Sequence, residues 1–127
     1  MWYRLSVKKR VSLVIVFDGD KVLLGEKEHG CELPGGHAHM LEDEKDAAKR
    51  EMKEETNLKV KKLHLFRTMH MPDKIVNVYY TDKFKGDIKP GSDILDAHWH
   101  TLDNIPKMKF NGHELIADAY KELKSKS

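Results

Sequence analysis

The chain has 127 residues, 35% of them charged, and a formal net charge of +2; this length predicts a single domain, residues 1–127, with a core large enough to fold unaided. So weak a net charge, with the lysines spread along the sequence, argues against a nucleic-acid partner. The single cysteine, Cys31, excludes an intrachain disulfide, and with no apolar segment long enough to cross a membrane we expect a cytoplasmic protein.

The first part of the chain is predicted to form two strands and a short extended piece. Residues 11–17 are an almost continuous apolar run with no small-residue cleavage site after it, which indicates a strand buried on both faces rather than a secretion signal. Residues 18–20, Asp-Gly-Asp, predict a turn, and residues 21–27 predict the returning strand of a hairpin. Residues 31–33 predict an extended piece that ends at a proline and two glycines.

The second part of the chain is predicted to contain further strands and a C-terminal helix. Residues 58–71, 75–84 and 93–100 predict extended segments separated by polar turns. A helix with one apolar face is expected from about Asn111. The apolar positions of that face are Leu115, Ile116, Ala119 and Leu123. This order of elements is compatible with an α/β fold, but it does not give the order of strands in a sheet.

The helix between these two parts carries its glutamates on an unusual face. It is expected to begin near Asp43, and Glu51, Glu54 and Glu55 stand at positions i, i+3 and i+4 of one face. Apolar residues lie on or beside that face, and lysines lie on the opposite side, so the glutamates are expected to turn toward the protein body. Three like charges in such a place are unfavourable unless a cation lies among them. A hard divalent cation, Mg²⁺ or Mn²⁺, takes oxygen ligands of this kind.

The spacing around this helix matches a family signature. The fixed positions of the signature are occupied here by Gly36, Glu42, Arg50, Glu51, Glu54 and Glu55. The pattern resembles the signature of the Nudix hydrolases, whose prototype is the MutT group. Asn57 stands where the signature has a glycine. That position needs a left-handed backbone at the helix end, and asparagine is the next best residue there after glycine.

The resemblance implies a fold, a reaction and a cofactor. The fold is an α/β/α sandwich with a mixed β-sheet between helices, and the reaction is hydrolysis of the diphosphate linkage of a small nucleotide with the help of Mg²⁺ or Mn²⁺. By resemblance, the metal ligands are the carboxylates of Glu51, Glu54 and Glu55 with the backbone carbonyl of Gly35. One acid, in the signature or outside it, would position or deprotonate the attacking water. Arg50 would orient Glu54 from one helical turn away.

Other polar residues near the signature are further candidates. Gly35 and Gly36 let the backbone approach a ligand closely, and His37 or His39 is expected to face the phosphates of a substrate. Glu42 is expected to support the loop before the helix or an outer metal ion. A zinc site is an alternative for His37 and His39 together with His29 and Cys31. Asp93 and Asp96 are candidates for an additional catalytic acid, each weighed against an ordinary surface role.

The signature does not select the nucleotide. The short chain, with no added domain to recognise a second moiety, favours a (deoxy)nucleoside triphosphate as in MutT-like enzymes, and ADP-ribose is the alternative. The triphosphate end of RNA would call for a clearer basic stripe than the sequence shows. A sensor that binds a nucleotide without cleaving it is a further alternative, against which the intact glutamates argue. Many Nudix relatives pair, so a homodimer is an assembly that the resemblance allows.

Overall fold

The computed structural model describes residues 8–89, 96–108 and 111–126. These residues form nine strands and two helices. In chain order the elements are β1 (Lys9–Asp18), β2 (Lys21–Lys27), β3 (Gly30–Glu32), β4 (Gly35–His37), α1 (Glu44–Thr56), β5 (Lys59–Lys61), β6 (His64–His70), β7 (Lys74–Thr81), β8 (Lys83–Lys85), β9 (Asp96–Thr101) and α2 (Gly112–Ser125).

A mixed sheet forms the centre of the fold. Its strands follow the order β3-β2-β1-β7-β6, with β4 also paired to β1 and β9 also paired to β2. Strands β1 and β7 run parallel, and the other described pairs of this sheet are antiparallel. The predicted hairpin is confirmed, because β1 and β2 are joined through Gly19, whose φ of 62° suits the tight turn. The sheet order is the part of the topology that the sequence did not reveal.

Apolar side chains cover both faces of this sheet. Val14, Ile15, Val16 and Phe17 of β1 are all fully buried, which confirms the prediction of a strand buried on both sides. Alternate residues of β1 belong to a core that includes Met52 of α1, and the intervening ones belong to a core that includes Ile116 of α2. The layers are therefore α1, sheet and α2, which confirms the expected α/β/α sandwich.

The second half of the sheet differs from the sequence-based prediction. Residues 58–71 were expected to be one extended segment, but the backbone turns at Lys62, whose φ is 50°, and divides β5 from β6. Residues 75–84 divide in the same way into β7 and β8. Strands β5 and β8 leave the main sheet and pair with each other, and this lets Val60 and Phe84 pack together against the core on the α1 side.

Candidate active site

Both ends of helix α1 are fixed by local interactions. The carboxylate of Asp43 accepts hydrogen bonds from the backbone N–H groups of Lys45 and Asp46 at 2.9 and 3.3 Å, so the helix begins where the sequence predicted. At the other end Asn57 has a left-handed φ of 69°, and its N–H donates to the carbonyl of Lys53. The interpretation of Asn57 as a substitute for the signature glycine is confirmed.

The three glutamates predicted as metal ligands are not equally buried. Glu55 lies inside the protein, Glu51 is partly buried, and 57% of the Glu54 side chain is exposed. Successive helical residues are separated by about 100°, so Glu51 and Glu55 lie close to the buried direction marked by Ala48, whereas Glu54 lies beyond it. The prediction that all three turn inward is correct for Glu55, correct in part for Glu51 and wrong for Glu54.

Gly35 and Gly36 lie between β1 and α1, where a side chain would not fit. A Cβ atom on Gly35 would overlap the carbonyl oxygen of Ser12, and one on Gly36 would overlap the carboxylate of Glu51. The N–H of Gly35 donates a hydrogen bond to Oε1 of Glu55 at 3.0 Å. The predicted close approach is therefore present, and it brings the glycine backbone against the carboxylates of the helix.

Arg50 connects helix α1 to the loop that precedes it. Its Nε and Nη2 atoms donate to the two carboxylate oxygens of Glu42 at 2.9 and 3.0 Å, and Nη2 also donates to the carbonyl of His37 at 3.0 Å. Its Nη1 atom donates to Glu51 at 3.0 Å and to Glu54 at 3.2 Å. The expected contact between Arg50 and Glu54 is present, but it is one of four that a single guanidinium makes.

The charge of Glu42 is set by this network. The hydrogen bonds from Arg50, followed by that from the backbone N–H of His39, lower the pKa of Glu42 to about 2. The bond to Glu42 is in turn the main reason that the pKa of Arg50 is raised. Glu42 therefore supports the loop, which is one of the two roles that the sequence suggested for it.

Arg10 holds the same loop from the side of the sheet. Its Nη1 atom donates to the carbonyl of Glu42 at 2.8 Å and to the carboxylate of Glu44 at 2.7 Å, and its Nη2 atom donates to the carbonyl of His39 at 2.7 Å. The bond from Arg10 to the carboxylate of Glu44 is the main reason that the pKa of Glu44 is lowered. Sequence reasoning missed Arg10, because it stands after two lysines and its partners are more than 25 residues away along the chain.

A cavity of about 770 Å³ opens beside the two glycines. Its lining includes predicted site residues, namely Gly35, Gly36, His37, His39, Glu51 and Glu55. Much of the remainder is apolar and is formed by Val11, Leu13, Leu33, Met69, Met71, Val76, Met108 and Leu115. Neither Arg50 nor Glu54 lines the cavity. A cavity of this size lies within the range of roughly 300 to 1,000 Å³ that is typical of small-molecule sites, and it joins carboxylates to an apolar surface.

The oxygen donors in the polar part of the lining suit a hard divalent cation. Glu51 and Glu55 reach the cavity from α1, and the backbone of Gly35 lies against Glu55. As placed, no three acidic, histidine or cysteine side chains among the described residues stand close enough together to hold a metal ion. The Nη1 atom of Arg50 bonds to both Glu51 and Glu54. The donor chemistry fits the ion, and joint coordination by Glu51 and Glu54 requires these contacts to rearrange.

The remaining candidates that the structure describes do not line the cavity. Asp96 and His98 contact each other on β9, with 2.5 Å between Oδ2 and Nε2, and neither lines the cavity. Asp93 lies outside the described residues. A zinc site around His29 and Cys31 finds no support, because the described part of the chain contains no suitable group of three ligands.

Known proteins share both this sequence and this fold. Residues 7–122 match the family model of the NUDIX domain. An ADP-ribose pyrophosphatase from Methanocaldococcus jannaschii is 33% identical, and the alignment covers 91% of this chain and 76% of that protein. The structure of a MutT NUDIX hydrolase from Burkholderia pseudomallei has a TM-score of 0.78 at 18% identity, covering 88% of this chain and 97% of that one. An ADP-ribose pyrophosphatase from Streptococcus suis has a TM-score of 0.77 at 22% identity, covering 95% and 96%.

The NUDIX family model matches almost the whole chain, and the relative from Methanocaldococcus jannaschii is 33% identical over 91% of it. This chain therefore belongs to the Nudix family. It is therefore an enzyme of the class of hydrolases that act on phosphoric anhydride bonds, in a family that generally uses divalent metal ions and acts on small nucleotides. The two solved structures bear on the fold alone, because their identities are low. Neither helix in the described part of the chain is long and apolar enough to cross a membrane.

Proposed function

We propose that the protein hydrolyses the diphosphate linkage of ADP-ribose, in a reaction that depends on Mg²⁺ or Mn²⁺. The observation that carries the proposal is the cavity that joins Glu51 and Glu55 to an apolar surface. The relative aligned over 91% of this chain is named an ADP-ribose pyrophosphatase, which favours ADP-ribose over the nucleoside triphosphate favoured by chain length.

The chemistry assigned to the polar part of the lining is attack by water on phosphorus. The water oxygen forms a bond to one phosphorus of the diphosphate, the bridging P–O bond breaks, and the departing phosphate takes the electron pair. When bound, a divalent cation neutralises phosphate oxygens and lowers the pKa of water. Glu51, Glu55 and the Gly35 backbone would hold this cation. Glu54 is the candidate for accepting the proton of the water once its contact with Arg50 has rearranged and brought it within reach of the cavity.

The apolar lining of the cavity would take the nucleoside. Met69, Met71 and Met108 belong to this lining, and thioether side chains adapt to flat rings and contact them favourably. His37 and His39, which also line the cavity, would face the phosphates. The substrate would therefore lie along the cavity with its diphosphate between the glycines and α1.

A turnover assay with a panel of nucleotides tests this proposal. ADP-ribose, dGTP and ATP are incubated with the protein in Mg²⁺, in Mn²⁺ or in a chelator, and the products are separated by chromatography. AMP and ribose 5-phosphate from ADP-ribose, formed only with the metal, are the expected result. Conversion of dGTP to dGMP and pyrophosphate, with ADP-ribose untouched, would instead support the triphosphate substrate of MutT-like enzymes.

A binding measurement added to the turnover assay separates an enzyme from a nucleotide sensor. Calorimetric titration with ADP-ribose in Ca²⁺, which replaces Mg²⁺ in oxygen sites but supports hydrolysis poorly, measures binding without turnover. Binding together with an absence of turnover in Mg²⁺ and in Mn²⁺ would contradict the proposed hydrolysis. The single domain over residues 1–127, the cytoplasmic location and the homodimer stay predictions from the sequence.

A further inference from the structure

Four lysines face the same way on the small sheet formed by β5 and β8. Lys59 stands opposite Lys85, and Lys61 stands opposite Lys83, whereas the residues between them point toward the core. Side chains directly opposite each other in an antiparallel pair lie on one face, with their Cβ atoms about 5 Å apart. The fold therefore collects into one surface lysines that are spread along the sequence. We call this surface, Lys59, Lys61, Lys83 and Lys85, the lysine ribbon.

The charges of the lysine ribbon are largely uncompensated. Lys83 lies 3.8 Å from the carboxylate of Asp82, and both side chains are exposed. Among the described residues, Lys59, Lys61 and Lys85 take part in no ion pair. Repulsion from Lys85 is the main reason that the pKa of Lys61 is lowered, and Lys59 adds to the effect.

Protection of a sheet edge does not account for this arrangement. Charged side chains on short exposed strands do discourage pairing with other chains. That purpose is served equally well by lysine opposite glutamate, which also stabilises the pair, whereas like charges directly opposite each other destabilise it. The ribbon has two such like pairs in a sheet of three residues per strand. A surface that accepts this destabilisation points to an anionic partner that relieves it.

We propose that the lysine ribbon binds the phosphodiester backbone of a single-stranded nucleic acid. Residues two apart on a strand are separated by roughly 7 Å, and successive phosphates of a nucleic acid are separated by a whole sugar. Phosphates of inorganic polyphosphate share one oxygen and are packed more closely than the lysines are. A membrane surface is a poorer partner, since the outward face carries no apolar side chain to insert among lipids.

The ribbon is expected to contact phosphates and not bases. Sequence-tolerant binding of single strands usually combines a basic groove with aromatic side chains on which bases stack. The outward positions of β5 and β8 are all lysine, and Phe84 points inward to stack near Trp99, with 5.3 Å between the ring centroids. Binding should therefore be independent of base sequence and strongly dependent on salt.

The test compares two triple variants that remove the same charge. The ribbon variant is Lys59→Gln with Lys61→Gln and Lys85→Gln. The control variant is Lys45→Gln with Lys49→Gln and Lys121→Gln, three exposed lysines of α1 and α2. The probe is a fluorescein-labelled oligouridine strand, and its affinity is measured by fluorescence anisotropy over a range of salt concentrations. Thermal unfolding followed by circular dichroism checks that both variants are folded.

Counterion release sets the size of the expected effect. Each phosphate contact with a single strand contributes about 0.7 to the slope of log affinity against log salt. The loss of one contact therefore weakens binding about fivefold at 0.1 M salt. The ribbon variant should therefore bind about 100-fold more weakly, with the slope reduced by about 2. The single variant Lys85→Gln should lose about fivefold. The control variant should stay close to the wild-type protein.

Three outcomes would overturn the proposal. The wild-type protein does not bind oligouridine, or the ribbon and control variants weaken binding equally, or inorganic polyphosphate or anionic vesicles bind through the ribbon while oligouridine does not. None of these measurements uses hydrolysis of a nucleotide. A negative result for the lysine ribbon is therefore distinct from a negative result for the proposed ADP-ribose reaction.

Discussion

Helices α1 and α2 cover opposite faces of one sheet, but they are held by different interactions. Helix α1 begins with a side-chain cap from Asp43, carries the Arg50 network and buries the polar residues Glu55 and Thr56. Helix α2 begins at Asn111, whose side chain makes no capping hydrogen bond. Its buried residues are Gly112, Leu115, Ile116 and Ala119. Directional bonds place the carboxylates of α1, whereas the buried face of α2 is apolar and its polar contacts, such as that of Asp118 with Arg67, are exposed.

The largest difference between the helices should appear in turnover. Glu54→Gln on α1 should lower kcat by about 10²- to 10⁴-fold, because it removes a carboxylate that can accept a proton from water. The matched change Glu114→Gln, on the exposed first turn of α2, should leave kcat within about twofold of the wild-type value. Steady-state assays with the best substrate of the panel measure both. Unchanged turnover in the Glu54 variant would contradict the assignment of this site.

The reverse difference should appear in stability. Ile116→Ala on α2 empties part of a fully buried core position and should lower the free energy of unfolding by about 2 to 5 kcal/mol. Ile116→Val should cost only about 1 kcal/mol. Urea denaturation followed by circular dichroism measures both, and kcat per folded molecule should stay close to wild type. A loss of kcat with unchanged stability would show that α2 acts on the reaction directly.

The ends of the two helices offer a smaller and closer comparison. Asp43→Ala removes a side chain that accepts two backbone hydrogen bonds and should lower the free energy of unfolding by about 1 kcal/mol. Asn111→Ala, at the same position of α2, removes no such bond and should change stability by less than about 0.5 kcal/mol. Chemical denaturation of both variants is the measurement. Equal losses would mean that the cap is not what distinguishes α1.

The Arg50 network should leave a mark in the pH dependence of stability. The pKa of Glu42 is about 2 in the folded protein, below the value of about 4.3 expected for an unfolded chain. Between these values the unfolded state binds more protons, so the contribution of Glu42 to stability is complete above this window and is lost as the pH falls through it. The stability difference between wild type and Glu42→Gln should therefore shrink from pH 5 toward about pH 2. A constant difference would contradict this explanation.

Local signals in the sequence predicted what depends on neighbouring residues. Asp43 and Asn57 marked the ends of α1 because capping and a left-handed helix end are determined within a few residues. The glycine pair and the signature spacing identified the residues that the fold brings to the lining of the cavity. Long-range contacts were the part that could not be predicted. The bonds from Arg10 to the loop and the pairing of β5 with β8 depend on how distant segments meet, which no local pattern contains.

Exposure of individual side chains was predicted less well than helix position. Glu54 was grouped on one face with Glu51 and Glu55, yet it lies about 100° around the helix from the buried Glu55 and is exposed. The exposed position places Glu54 within reach of Arg50, which also holds Glu42. The i, i+3, i+4 spacing defines a broad face, and it did not distinguish the centre of that face from its edge.

The crowding at Gly35 and Gly36 divides the cavity into a part that tolerates redesign and a part that does not. Any larger residue at either glycine would push β4 away from Ser12 or displace Glu51. The methionines in the lining of the cavity have flexible side chains and could be exchanged for others of similar volume. Directed evolution toward a new nucleoside should therefore randomise Met69, Met71 and Met108 and keep both glycines fixed.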